Sequence, residues 1–333
     1  MRRGWIVLVL MGCGSSSAEA TAADPTTPSA TAPAQTSPPP ATTAPQPGTT
    51  DAGANDSGAK PATNGTYRDS LSVCWTDSKC KRAMIVAHGG DWKAGSAPYG
   101  SMAAVTAAYT NGAEAVKIDV RVTKDNVPVV SHSSPFEIWE SLDCYNKKIE
   151  DMTAADVTGC HFAGSSETYQ RLDTMLTYAR GKLVVQLCVK EPTDYARTIA
   201  EVVTEKAEDF AFLEVSVQDL QTVLPPIANS GKIWWLVNVE SNATDIDTLL
   251  DVVKNPHAFM VEIDQVSWAA DAIKTKLHPA GLRTFTYLKS ESASQSDLQA
   301  LFDEGFDVVS SNVTGENLKA RVATNTARGI SPP

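Results

Sequence analysis

Five histidines occur in the 333-residue sequence, and two of them, His88 and His132, close short runs rich in β-branched residues. Imidazole takes and gives protons near neutral pH, so two rings meeting across an anion-sized gap suit general acid–base chemistry. Residues 115–122 alternate strictly: Lys117, Asp119 and Arg121 share one face, and Val116, Ile118, Val120 and Val122 the other. The apolar face must lie against helices. The charged face then looks into an enclosed interior or its mouth, where ions persist only in pairs. The same parity over residues 183–190 aligns Gln186, Cys188 and Lys190. Residues 127–132 read as a short extension after the charged strand and carry His132 to the rim where His88 ends its own strand. Two histidines, one carboxylate and several cations are therefore expected at one site.

The elements that must position them recur as β-branched runs followed by helix-like stretches, the pattern of a parallel α/β fold. Strands are expected at 83–88, 115–122, 183–190, 212–217, 233–239, 259–264, 283–288 and 308–312. Helices are expected at 102–110, 194–208, 245–254, 269–277 and 296–304. Eight such units from Tyr67 onward predict a (β/α)8 TIM barrel, whose chemistry sits at the C-terminal ends of its strands. An open doubly wound sheet is the alternative, but no Gly-x-Gly-x-x-Gly loop follows the first strand.

The N-terminal part is of another kind. Residues 1–13 read as a signal: Arg2 and Arg3 precede a seven-residue apolar stretch, far short of the roughly 20 residues that span a bilayer. Leu10-Met11-Gly12-Cys13 resembles a bacterial lipobox, which implies lipidation of Cys13; an ordinary secretory signal with an incidental cysteine is the alternative. In residues 14–66, 44 of 53 positions are Ala, Thr, Pro, Ser or Gly and no large apolar side chain occurs, so a disordered tether is expected. Residues 67–333 form the barrel domain. The net charge is −11, nearly all of it after residue 66, which disfavours nucleic acid as a partner. Export to the bacterial cell envelope, at the outer membrane or periplasmic face, permits disulfides. Proximity suggests Cys74 with Cys80 and Cys144 with Cys160, although four cysteines allow three connectivities. Cys188 remains as a core thiol.

With those residues in hand, Val86-Ala87-His88-Gly89-Gly90 and the stretch from Gly112-Ala113-Glu114 through Lys117-Ile118-Asp119 to Val130-Ser131-His132 resemble the glycerophosphodiester phosphodiesterase family. Its pattern runs A-H-R-G, then E-x-D and a second histidine, then E-x-K. The resemblance implies a barrel in which two histidines act on a phosphodiester beside a carboxylate-held divalent cation. Carried over, His88 and His132 take the catalytic positions, Asp119 the second acid of E-x-D and Lys190 the lysine of E-x-K. Gly89 stands at the family's phosphate-binding arginine, Lys117 and Cys188 at two metal carboxylates, and Pro98-Tyr99-Gly100-Ser101 lacks the family's P-E-N-T glutamate. With one carboxylate of three, no Mg2+ or Ca2+ is expected at the usual place.

Two functions remain open. One is cleavage of a glycerophospho- or phospholipid-type diester without metal, with Lys117, Arg121 and Lys190 holding phosphoryl oxygens and Asp119 orienting an imidazole. The other is a pseudoenzyme that binds a phosphate-bearing envelope ligand. A relocated metal among Glu214, Asn238, Glu240, Glu262 and Asp264 is a third possibility, set against a structural charge network with Lys117 and Lys190. The polar stretch between Cys144 and Cys160 is expected to tie down an insertion over the mouth, bringing Phe136, Trp139 or Tyr145 to a substrate. Trp234 and Trp235 are read as packing residues on opposite strand faces; His161, His257 and His278 as surface residues.

Overall fold

The computed structural model describes residues 70–93, 96–239, 245–252 and 257–330. Cys13, the 14–66 tether and Glu240 lie outside the described residues.

Eight parallel strands carry the fold: β1 (Met84–His88), β2 (Ala115–Val122), β5 (Val184–Val189), β6 (Ala211–Ser216), β7 (Trp234–Asn238), β8 (Ala258–Glu262), β9 (Arg283–Leu288) and β10 (Val308–Ser311). They pair in that order, and β10 returns to β1 to close the ring. Two short strands extend the sheet beyond β2: β3 (Pro128–Val130) pairs antiparallel with β2, and β4 (Gln170–Arg171) antiparallel with β3. Helices α1 (Met102–Asn111), α3 (Leu172–Ala179), α4 (Tyr195–Thr204), α5 (Val217–Thr222), α6 (Asp245–Val252), α7 (Ala269–Ala272), α8 (Gln295–Glu304) and α9 (Thr314–Ala327) follow the barrel strands, and α2 (Ala154–Thr158) lies between β3 and β4. The eight expected barrel strands are all present. The ends of α1 are marked in the sequence: Ser101 accepts from the Ala104 amide at the N-cap, and Gly112 takes a left-handed φ of 100° at the C-cap.

Strand parity divides the core. Val116, Ile118, Val120, Leu187, Leu213 and Val237 pack outward under the helices. Met84, Val86, Val184, Phe212, Leu236, Phe285 and Val308 fill the lower barrel, where Leu71 and Trp75 plug its base. The plug segment is bridged by Cys74–Cys80 and held by buried Arg283, which donates to the carbonyls of Cys74 and Arg82. Trp235 joins the outer core and Trp234 the inner one, so both indoles pack as expected. Glu114, fully buried just before β2, accepts from the Ile85 amide at 3.0 Å and pairs with Arg321 of α9, tying the first strands to the last helix.

The register of β2 explains the rim. β1 ends where His88 faces Lys117, but β2 continues for five more residues to Val122. β3 pairs with that overhang, Val130 opposite Val120, and runs back toward the barrel. The Ser131 amide then bonds to the Asp119 carbonyl at 3.0 Å, which delivers His132 above His88. The chain from 133 to 169 forms an insertion with its own core of Phe136, Ile149, Met152, Val157, Phe162 and Tyr169, stapled by Cys144–Cys160. Both expected bridges are therefore present. Cys188 is fully buried in β5.

Candidate active site

A cavity of about 460 Å3 opens at the C-terminal ends of the strands. His88, Asp119, His132 and Asn312 line it together with Tyr99, Trp92, Trp139 and Glu140. The two histidines singled out in the sequence thus share one cavity, with the Tyr99 ring between them at centroid distances of 5.3 Å and 5.8 Å.

His88 is held on three sides. It stacks on Tyr287 at 4.3 Å, its Nδ1 lies 2.8 Å from Asn312 Oδ1, and its Nε2 lies 3.3 Å from the Tyr99 hydroxyl. Asn312 Nδ2 donates to Glu291 at 3.2 Å, so the amide oxygen is the atom left for the ring. An amide oxygen only accepts; Nδ1 therefore carries the proton and Nε2 keeps its lone pair. Burial, followed by the Lys117 ammonium, pushes the His88 pKa well below its usual value, against the opposing pull of Asp119 and Asn312. The ring is a neutral base at physiological pH.

His132 is 39% exposed; its Nδ1 lies 3.0 Å from Ser133 Oγ and 3.6 Å from the buried Glu140 carboxylate. Glu140 also accepts from the Ser133 and Glu137 amides, which fixes the loop carrying the ring. Arg121 was expected to face a phosphoryl group. It instead donates to the His132 carbonyl at 3.0 Å and approaches Glu191 at 3.7 Å, because at this height β2 has risen past the closed ring and lies beside β3.

The charged residues form a closed cluster. Asp119 bonds to Lys117, to Lys190 at 2.7 Å and to the Tyr99 hydroxyl at 2.9 Å. Burial alone would raise the Asp119 pKa, but the two ammonium groups outweigh it and hold the carboxyl well below the usual range. Lys117, 5% exposed, is lowered by burial despite Asp119, and it donates to the Tyr99 oxygen at 3.4 Å. Lys117 therefore meets the cavity through Tyr99 and Asp119, and Lys190 through Asp119, rather than directly. Asp119 holds Tyr99 and the lysines, not an imidazole, which corrects its expected role; Asn312 and Ser133 orient the rings. Burial, then Asp119, push the Tyr99 pKa well above its usual value, so the hydroxyl stays protonated.

Tyr99 is the site residue that the sequence does not reveal, because its segment stands out there only for lacking the family's glutamate. Gly89 and Gly90 turn the chain after β1 with φ of 69° and 83°, and a Cβ on Gly89 would lie 2.0 Å from the Tyr99 ring. The ring occupies the space a side chain at 89 would need. The Gly100 amide latches back to the Gly89 carbonyl at 2.9 Å.

Below the rim, Glu214 accepts from Gln186 at 2.9 Å and from Asn238 at 3.3 Å. Burial and then the Glu214 carboxylate raise Glu262 well above the usual range. Of the three aromatic residues expected near a substrate, Trp139 lines the cavity, Phe136 is buried in the insertion core and Tyr145 is exposed outside it. His161 is on the surface, paired with Asp143, whereas His278 anchors Asp307 at 3.0 Å and His257 packs its ring on Trp234 at 5.1 Å.

A divalent hard cation seeks about six or more oxygen ligands. At the positions corresponding to a carboxylate cage stand Lys117, Asp119 and Cys188, and Asp119 is already engaged by two ammonium groups. Among the described residues one cluster brings three ligand atoms within 4.8 Å, Asp143 with Cys144 and Cys160, and its sulfurs are bonded to each other. Neither the rim nor the Glu214, Glu262 and Asp264 set fits such an ion.

A closed parallel barrel with two imidazoles on one cavity at its C-terminal rim defines the class: a (β/α)8 barrel whose candidate site lies where such barrels carry their chemistry. The chain belongs to the glycerophosphoryl diester phosphodiesterase family, whose profile matches residues 93–303. Among solved structures, the fold is similar to a glycerophosphoryl diester phosphodiesterase from Parabacteroides distasonis at 19% identity, with 75% of this chain and 90% of that one covered and a TM-score of 0.61. It is also similar to a phosphodiesterase from Oleispira antarctica in complex with the product sn-glycerol-3-phosphate, at 18% identity, with 73% and 98% covered and a TM-score of 0.56. A glycerophosphodiester phosphodiesterase from Agrobacterium tumefaciens matches at 20% identity, with 71% and 99% covered and a TM-score of 0.53. No curated protein sequence matches the chain.

Proposed function

We propose that this protein cleaves a glycerophospho- or phospholipid-type phosphodiester by histidine acid–base chemistry, with fixed positive charge in place of the family's divalent ion. The observation that carries this reading is the Asn312 Oδ1 contact with His88 Nδ1 at 2.8 Å, which leaves Nε2 as the free lone pair on a cavity shared with His132. His88 removes the proton from the attacking hydroxyl, either a neighbouring hydroxyl of the substrate or water. The new P–O bond forms as the P–O bond to the leaving alcohol breaks, and His132 protonates that alcohol. The Tyr99 hydroxyl, turning its proton from Asp119 to the bound phosphoryl group while Lys117 polarises its oxygen, meets the charge that builds there, and Lys117 and Lys190 then hold the Asp119 carboxylate. The Oleispira relative's complex with sn-glycerol-3-phosphate supports a glycerophospho head group as ligand.

A second reading is favoured by the closed Lys117–Asp119–Lys190 cluster and by Tyr99 filling the space at Gly89: a pseudoenzyme that binds a phosphate-bearing envelope ligand without turnover. Assays of glycerophosphodiesters and inositol lipids with the wild type, His88→Ala and His132→Ala separate the two. Turnover lost in both variants supports catalysis; saturable sn-glycerol-3-phosphate binding with no turnover of any such substrate supports the second reading. The envelope location and the lipidation of Cys13 belong to the same proposal, and the mass of the mature N-terminus tests them.

A further inference from the structure

Five large apolar side chains are exposed among the described residues, and four of them fall within eight positions of the insertion: Ile138 at 59%, Trp139 at 52%, Leu142 at 66% and Tyr145 at 56%. Solitary exposed apolar residues need no explanation, but a contiguous group does. This group is held in place rather than flexing. The segment beneath it is anchored by Phe136 and Ile149 in the insertion core and by the Cys144–Cys160 bridge, and Glu140 pins its start through the Ser133 and Glu137 amides.

We propose that this patch is a docking surface for a lipid bilayer, which sets the mouth of the cavity against the membrane. Three observations select this occupant. The composition, two aliphatic residues flanked by a tryptophan and a tyrosine, is that of side chains that settle at the boundary of hydrocarbon and head groups. The exposed Lys147 and Lys148 of the same loop are outnumbered by exposed Glu137, Asp143, Glu150 and Asp151, so the patch suits apolar contact with a zwitterionic bilayer rather than attraction to an anionic one. Trp139 belongs to both the patch and the cavity wall, 5.9 Å from the His132 ring, so the patch is continuous with the site. A head group still attached to its bilayer reaches the histidines only if the rim lies on that bilayer. The inference goes beyond the catalytic reading, since membrane binding is scored without turnover.

The test uses the full 333-residue chain purified without acylation, and sucrose-loaded vesicles of phosphatidylcholine. Cosedimentation is compared between the wild type and the triple variant Ile138→Ser, Leu142→Ser, Tyr145→Ser, none of which lines the cavity. Unchanged near-ultraviolet circular dichroism confirms that the variant is folded, and Tyr145→Ser alone serves as a milder second variant. The expected result is vesicle binding by the wild type with a blue-shifted tryptophan emission, a partition coefficient at least tenfold lower in the triple variant, and an intermediate value for the single one. The inference is overturned by no vesicle binding in the wild type, or by equal binding in all three proteins. It is also overturned if the wild type forms a dimer that the triple variant loses while neither binds vesicles, which would make a second copy the occupant.

Discussion

In the proposed mechanism His88 serves as the base because its surroundings disfavour a second proton on the ring. Its folded-state pKa lies well below 6.5, so the free enzyme keeps the neutral ring until the pH falls through that depressed value. The acid limb of kcat/KM should therefore lie below pH 6.5; a limb at or above 6.5 would show that burial and Lys117 do not act as described. The same shift affects stability: the unfolded chain takes up a proton near the ordinary histidine pKa before the folded one does, so this contribution is present above that value and declines as pH falls toward the folded one. Tyr99→Phe keeps the ring against Gly89 but removes the hydroxyl, and should lower kcat by roughly 10²-fold or more with little change in KM. An unchanged kcat in that variant would remove Tyr99 from the chemistry. His88, His132, Lys117 and Asp119 were legible in the sequence because strand alternation exposes which side chains share a face. Tyr99, Ser133 and Glu140 were not, because they stand in loops where no periodicity points to them; Asn312, at the end of an expected strand, could have been found there.

At the scale of elements, the site depends on two unusual joints. The turn after β1 takes left-handed conformations at Gly89 and Gly90 so that Tyr99 can close over it. Gly89→Ala should destabilise the fold by about 1–3 kcal/mol in urea unfolding, and pairing it with Tyr99→Ala should recover the part due to the steric clash. Equal losses in the single and double variants would leave backbone strain as the whole cause. The second joint is the overhang of β2, which accepts β3 and so aims His132 at the rim. The sequence showed that residues 127–132 extend the second strand, but not that they run antiparallel beside it. The unexpected position of Arg121 follows from that geometry: beyond the ring, alternation no longer sorts inside from outside.

At the scale of the molecule, the eight-fold alternation of strands and helices was readable because parallel barrel strands are short, apolar and regularly spaced. The count of eight units already implied a closed ring, but not which side chains tie its two ends, more than 200 positions apart in the chain. Glu114 and Arg321 make that closure concrete, with Glu114 at 0% exposure satisfying both the β1 backbone and α9. Glu114→Ala leaves a buried guanidinium unpaired, and a loss of about 3–5 kcal/mol in unfolding free energy is expected; a loss under about 1 kcal/mol would mean that solvent reaches Arg321. The insertion was anticipated from two cysteines, yet its exposed apolar face could not be, since exposure is a property of the folded surface.

The central claim is that fixed cations and a histidine pair do what a bound divalent ion does elsewhere in the family. Its most direct test is the rate of glycerophosphodiester cleavage before and after exhaustive chelation, with Mg2+ or Ca2+ added back. The account predicts a rate unaffected by EDTA or by added ions, and lost in His88→Ala. Turnover that chelation abolishes and a divalent ion restores would contradict it.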